Sequence, residues 1–213
     1  MRLNRDRQLP GVSAALATMM RGLQSLQHAT SINILLGQEG AATAQYWRAL
    51  GLLAKPTQEE FCRSRPANDP LNAAINYLTG ILERDIRAAI QSVALLPGLG
   101  FFHGKRDRHD GLVFDLMEPF RAPLTEGLPI FLLNANRLRA EMFTKGNDHV
   151  LITEEGRRAL VRGYEAAVAR RVNQPDGGKK LAWRPLMRAQ AKSLSNALRL
   201  EDATRFLPYM MEA

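Results

Sequence analysis

The strongest constraint on this chain is a helix announced by its own first residues. Asn68, Asp69 and Pro70 form a start signal, with Asp69 as N-cap and Pro70 at the first helical position, where its missing N–H would have had no partner anyway. Behind it Leu71, Ile75, Leu78, Leu82, Ile86, Ala89 and Val93 recur at steps of three and four, so the spacing predicts a helix to about Val93. Asn72, Asn76 and Thr79 line a polar strip beside that stripe.

The remaining segments read the same way. Val12 to Gln27 is rich in Ala, Leu and Met with no β-branched run, which predicts a helix opening at Ser13 as its N-cap. Ile32 to Leu36 leads into Gly37, Gln38, Glu39 and Gly40 and then AATAQYWRALGLL, read as a turn opening into a helix. Glu39 then falls in or just before a first turn, where the helix dipole favours a negative side chain. The flanking glycines would also let a backbone approach a ligand closely. Lys55 to Pro70 is an irregular loop. Pro119, Pro123 and Pro129 mark short or kinked helices, because each removes a backbone donor. Phe131 to Met142 resumes a helical pattern, and NDHVLI is a brief extended piece.

Thr153 is the expected N-cap of a helix reaching Arg171, basic on its exposed side. Residues 173–180 are expected to be a flexible loop before a last helix from Trp183 to about Leu198. That helix carries Arg184, Arg188 and Lys192 at spacings of four, a stripe suited to a phosphate backbone and equally common on plain solvated helices. There is no internal repeat and no strand-rich region. The expected class is all-α, as a single helical domain over residues 1–213.

Composition narrows the function. With 213 residues, 46% of them hydrophobic, a substantial core can form. The net charge of +8 points to a phosphate-rich partner. A single cysteine, Cys62, expected to be passive and half-buried, excludes an internal disulfide framework and a thiolate zinc cluster, in agreement with a reducing cytoplasm. The charged N-terminus is no signal peptide and no apolar run is long enough to span a bilayer, so the protein is expected to be neither exported nor embedded.

Chemistry concentrates between Gly98 and Arg121. A Gly-rich apolar turn ends at His103, a basic loop follows with Lys105 and Arg106, and an amphipathic helix then carries Asp115 and Glu118 three apart, on one face. Two carboxylates about 4 Å apart repel by roughly 4 kcal/mol at an effective dielectric near 20, and a divalent ion between them reverses the sign. Oxygen ligands with one imidazole favour Mg²⁺ or Mn²⁺ over a structural zinc. The competing account is an ordinary helix whose acids pair with Arg106, Arg108 or Arg121. Spacing alone leaves both open.

Together the QEG of residues 38–40 with AATAQYW, the RSRPANDPLNA of residues 63–73, and FFHG followed by LVFDLMEPFR resemble, in order and spacing, the CRISPR adaptation integrase, Cas-one. The likeness runs from about Gly11 to the end, and LVFDLMEPFR is its most specific block. It implies an all-helical catalytic domain in which Glu39, His103 and Glu118 hold one divalent metal, Mg²⁺ or Mn²⁺, with Asp115 as an adjacent second acid and Lys105 as a phosphate contact. It also implies attack of a DNA 3′ hydroxyl on a phosphodiester at the edge of a repeat, with disintegration and nuclease activity from the same site. Arg63, Arg65, Asn72, Tyr77, Arg106, Arg184 and Arg188 are the candidate DNA contacts. The implied partners are double-stranded DNA (prespacer and repeat), further copies of the chain as a dimer or tetramer, and the small protein Cas-two.

The usual member opens with a β-rich N-terminal domain, and this chain opens almost directly into the helical one, so the N-terminal β domain is expected to be absent. The rival readings are a non-catalytic helical DNA-binding scaffold and a branched-DNA repair nuclease outside any CRISPR locus.

Overall fold

The computed structural model describes residues 9–26, 30–56, 58, 60–102 and 110–210, and these are mostly helical, as expected. The chain divides into two compact units, Met1–Ala74 with Pro129–Arg157, and Ile75–Leu128 with Arg158–Ala213.

In the first unit helix α1 (Pro10–Leu26) packs on α2 (Ile32–Leu53). α1 begins earlier than its Ser13 signal suggests: Leu9 O already accepts the N–H groups of Val12 and Ser13 at 3.0 and 3.2 Å. α2 overturns a larger expectation. Ser31 is its N-cap, with Oγ accepting the Ile34 N–H at 3.3 Å, and the helix then runs unbroken through Gly37 and Gly40. Each interior glycine costs about 1 kcal/mol relative to alanine, which the strong helix formers around them and the packing on α1 outweigh. Glu39 therefore lies in the helix interior, out of reach of the N-terminal dipole.

Gly51 is where the following loop meets α2. A Cβ there would fall 2.3 Å from Phe61 Cβ and 2.4 Å from Gln58 O, so only glycine admits the contact. Phe61 is buried and meets the buried Trp47 edge-on, with ring centroids 6.3 Å apart. Cys62, expected half-buried, is exposed.

The loop is closed by Asn72, which has no exposed surface. Its Nδ2 donates to Cys62 O at 2.8 Å and to Asp69 Oδ2 at 2.5 Å, while its Oδ1 accepts from Arg63 and from the Ser64 N–H at 3.1 Å. Helix α3 (Pro70–Gln91) starts as the sequence predicts, with Asp69 Oδ1 accepting the Asn72 N–H at 2.9 Å.

Two short strands, β1 (Phe143–Lys145) and β2 (Val150–Ile152), pair antiparallel with Phe143 opposite Ile152. The extended piece at NDHVLI is β2; its partner carries no sequence signal of its own. Thr153 then caps the helix that begins at Glu154, as expected, its Oγ1 accepting the Gly156 N–H at 3.2 Å.

The second unit contains the acid-bearing helix α4 (Gly111–Arg121), which buries Leu112, Val113, Leu116, Met117 and Phe120. A π-helical turn (Ala122–Glu126) and α5 (Gly127–Asn134) follow without a gap. The wider turn lets the chain pass Pro119 and Pro123: the Gly127 N–H reaches back to Ala122 O, and Thr125 Oγ1 donates to Arg121 O at 3.1 Å. The helix opened by Thr153, α6 (Glu154–Val168), ends before Arg171, which belongs to the pair β3 (Arg171–Val172) and β4 (Leu181–Ala182) joined by residues 173–180. Helix α7 (Trp183–Arg199) closes the unit. Behind α4, Phe120 stacks on Tyr209 at 5.8 Å and 7°, and Trp183 meets both rings edge-on. Gln190 holds the last described segment on α7, donating to Leu207 O at 3.0 Å and accepting the Tyr209 N–H at 2.8 Å.

Removing the Asn72 amide strands several loop partners at once. Asn72→Ala is expected to lower stability by about 2–4 kcal/mol, read as an earlier urea midpoint with an unchanged slope; a loss below about 0.5 kcal/mol would show that the loop does not depend on it.

Candidate metal and nucleic-acid site

With the apolar face of α4 buried, Asp115 and Glu118 share the opposite side, Asp115 half-buried and Glu118 exposed. They are held differently. Asp115 Oδ2 accepts two backbone donors, the N–H groups of Phe101 at 2.5 Å and Phe102 at 3.1 Å. Glu118 Oε1 accepts from Arg121 Nη1 at 2.7 Å, and Arg121 Nε lies 3.3 Å from Oε1 of the buried Glu126. The ion pair with Arg121 that the sequence left open is thus present for Glu118, while Asp115 accepts from the main chain of Phe101 and Phe102. At the start of α4, Asp110 pairs with Arg87, which also holds Glu83 at 2.8 Å.

Beside Asp115 opens a largely apolar cavity of about 610 Å³, walled by Phe101, Phe102 and Leu116 on one side and by Leu194, Leu198 and Phe206 on the other.

Glu39 belongs to the first unit. It is exposed on α2, accepts from Thr43 Oγ1 at 3.1 Å, and lines a cavity of about 260 Å³ with Met19, Gln38 and Tyr46. In that cavity wall Gln38 Oε1 is buried with no hydrogen-bond partner among the described residues. A Cβ at Gly37 or Gly40 would meet nothing within 4 Å. His103, Lys105 and Arg106 lie outside the described residues, and among the described residues no three His, Cys, Asp or Glu side chains form a cluster.

The donor chemistry that is present fits a hard divalent ion. Carboxylate oxygens dominate, and Gly111–Glu126 holds Asp115, Glu118 and Glu126 against the single base Arg121, a locally negative stretch in a chain of net charge +8.

The candidate DNA contacts fall into distinct settings. Asn72 is enclosed by its loop, and half-buried Arg63 is spread over the Trp47 ring at 5.2 Å. Arg65 and Arg188 are exposed, and Tyr77 is half-buried. Arg184 is engaged within the second unit: its Nε meets Asp85 Oδ2 at 2.9 Å, and both terminal nitrogens grip the Glu165 carboxylate at 2.7 Å. The buried Tyr164 donates its hydroxyl to the same Asp85 oxygen at 2.9 Å. Burial, and then the Asp85 charge, push the Tyr164 hydroxyl well above its usual range. The Arg184 hydrogen bonds hold Glu165 below the ordinary carboxylate value. Asp85 and Arg184 are 99 residues apart, and no local pattern could have joined them.

Residues 1–166 match the family model described as CRISPR associated protein Cas1. The chain is 31% identical over 195 residues to the CRISPR-associated endonuclease Cas1 3 of Thermus thermophilus, covering 90% of this chain and 58% of the relative. It is 27% identical over 196 residues to a CRISPR-associated exonuclease Cas4/endonuclease Cas1 fusion of Geobacter sulfurreducens, covering 89% of this chain and 34% of the relative. The chain thus spans between 34% and 58% of the length of these two relatives. Its fold matches a chain of a Cas6-RT-Cas1–Cas2 complex with a TM-score of 0.87 and 24% identity, over 99% of this chain and 23% of that one. It matches a casposase bound to integration product with a TM-score of 0.77 and 23% identity, over 90% of this chain and 58% of that one. Among the described residues no helix is long and apolar enough to cross a membrane.

Because the folded Glu165 pKa is depressed, the Arg184–Glu165 bridge stabilises fully above the ordinary carboxylate value, and that contribution is lost as pH falls through the lower folded value. Both groups are partly exposed, so Glu165→Gln is expected to cost less than about 1 kcal/mol at pH 7. The gap to the parent should close on acidification, as read from urea midpoints at pH 7, 5 and 3; a gap that stays constant would show that the bridge contributes nothing through its charge.

Proposed function

Because the chain belongs to the CRISPR-associated Cas1 family, we propose that it is a metal-dependent DNA integrase and endonuclease of spacer acquisition. The observation that carries this reading is the acid-bearing helix: within the family-matched stretch, Asp115 and Glu118 share the unburied side of α4, and the turn that leads to His103 is bonded to the first of them.

Glu39, His103 and Glu118 would hold a Mg²⁺ or Mn²⁺ ion. Such an ion, when bound, polarises a phosphoryl oxygen and stabilises the departing 3′ oxygen. In the proposed reaction the 3′ hydroxyl of a short duplex attacks a phosphodiester at a repeat edge. One P–O bond forms to the incoming oxygen, one breaks to the repeat strand, and a 3′ hydroxyl is released. The number of phosphodiesters is unchanged, so the step needs no nucleotide cofactor. Water in place of the hydroxyl gives cleavage, and the reverse transfer gives disintegration.

The side chains divide the work of binding. Glu118 is oriented by Arg121, which is itself close to Glu126, so the carboxylate is restrained before substrate arrives. Lys105 contacts the reacting phosphate. Arg63, Arg65, Arg106 and Arg188 hold the duplex by its backbone, which positions DNA without reading its sequence. Arg184 contributes mainly by fixing α7 to Asp85 and Glu165. The matched folds come from a complex that includes Cas2 and from a casposase bound to integration product, which supports DNA as substrate and a Cas2 protein as partner for this chain.

The test is strand transfer of a short duplex with free 3′ hydroxyls into a repeat-containing plasmid, with Mn²⁺ or Mg²⁺ supplied. Glu118→Gln is expected to lower the rate about a hundredfold or more, chelation to abolish it, and Arg188→Ala to weaken binding evenly across sequences while lowering the salt slope by about one. Transfer that survives both chelation and Glu118→Gln would overturn the metal-dependent reading.

A further inference from the structure

Asp115 and Glu118 look equivalent in sequence, and the structure separates them. Glu118 Oε1 meets the half-buried Arg121 guanidinium, a side-chain partner that an ion could replace by rotation of the two side chains. Asp115 Oδ2 meets two consecutive amide groups of the main chain, at 2.5 and 3.1 Å. Two N–H groups converging on one carboxylate oxygen are charge-assisted bonds, stronger than neutral ones, and together they tie the Phe101–Phe102 backbone to α4. The same turn is tied to α4 a second time, because the Leu112 N–H donates to Pro97 O at 2.9 Å. Phe101 is 60% exposed, so apolar burial of its side chain does little to hold the turn.

His103 follows Phe102 directly. We propose that Asp115 is a positioning residue: its carboxylate holds the Phe101–Phe102 backbone and so fixes where the chain enters His103, while Glu118 is the acid of the pair that binds the ion. This rests on the metal-dependent reading above. It goes beyond it by giving the two acids different work and by making an acceptor, rather than a negative ligand, the requirement at position 115.

Asparagine keeps an acceptor oxygen of nearly the same shape and loses the charge, whereas alanine loses both. The experiment measures Mn²⁺ affinity of the full chain by electron paramagnetic resonance, and backbone amide exchange at Phe101 and Phe102 by NMR, for the parent, Asp115→Asn, Asp115→Ala and Glu118→Gln. Expected are a Mn²⁺ affinity for Asp115→Asn within about threefold of the parent, a loss of about tenfold or more for Glu118→Gln, and faster exchange at the two amides in Asp115→Ala, with protection largely kept in Asp115→Asn. If Asp115→Asn weakens Mn²⁺ as much as Glu118→Gln does, Asp115 is itself a ligand and the proposal falls. If the parent binds no Mn²⁺, the metal reading falls on its own, and exchange decides the positioning role: faster exchange in Asp115→Ala upholds it, and unchanged exchange overturns it.

Discussion

Burial of Phe120 against Trp183 and Tyr209 fixes the rotation of α4 about its own axis, and that rotation decides where the acids lie. Burying one large apolar side chain contributes about 1.5–3 kcal/mol, and a well-oriented aromatic pair adds about 0.5–1.5 kcal/mol. Leu112, Val113, Leu116 and Met117 add to the same face. Two carboxylates about 4 Å apart oppose this by roughly 4 kcal/mol at an effective dielectric near 20, less than these apolar contributions together. The apolar face therefore dictates the geometry, and Asp115 and Glu118 are held near each other although their charges repel. A helix in this state gains from any cation that reaches it. Arg121 supplies one from within the chain, and a divalent ion would compete for the same oxygens.

Elements announced by local chemistry were legible. Asp69 and Pro70 mark the start of α3, its apolar stripe gives its length, Thr153 marks α6, and the last helix begins at Trp183 as read. The error at Glu39 has a clear cause. Gly37 and Gly40 carry the local signal of a break, whereas Ser31, the residue that caps α2, stands before the short apolar piece. A penalty of about 1 kcal/mol per glycine is local and visible in sequence; the packing of α2 on α1 that offsets it is tertiary and is not.

The candidate site was legible to the extent that its partners are close in sequence. Glu118 and Arg121 stand three apart on one helix, a spacing that by itself makes the pair available. Asp115 binds main-chain N–H groups, which every residue but proline carries and which therefore leave no mark in a sequence. Arg184 looked like part of a phosphate-binding stripe because its spacing to Arg188 and Lys192 is visible, whereas Asp85 and Glu165 are brought to it only by the fold. Spacing identifies a side chain's neighbours on its own helix. It says nothing about which of them a distant acid will claim first.

The segment that Gln190 pins to α7 ends, among the described residues, just beyond Tyr209, and that ring lies flat on Phe120. Packing behind the acids is thus completed by a stretch of chain outside any helix, anchored through one amide side chain and a stacked ring. Peeling that stretch away would uncover the back of the acid-bearing helix without touching an acid. Anything grafted close behind Tyr209, such as a purification handle or a fused partner, would pull on the same ring, so the packing behind α4 and the seating of that segment would vary together.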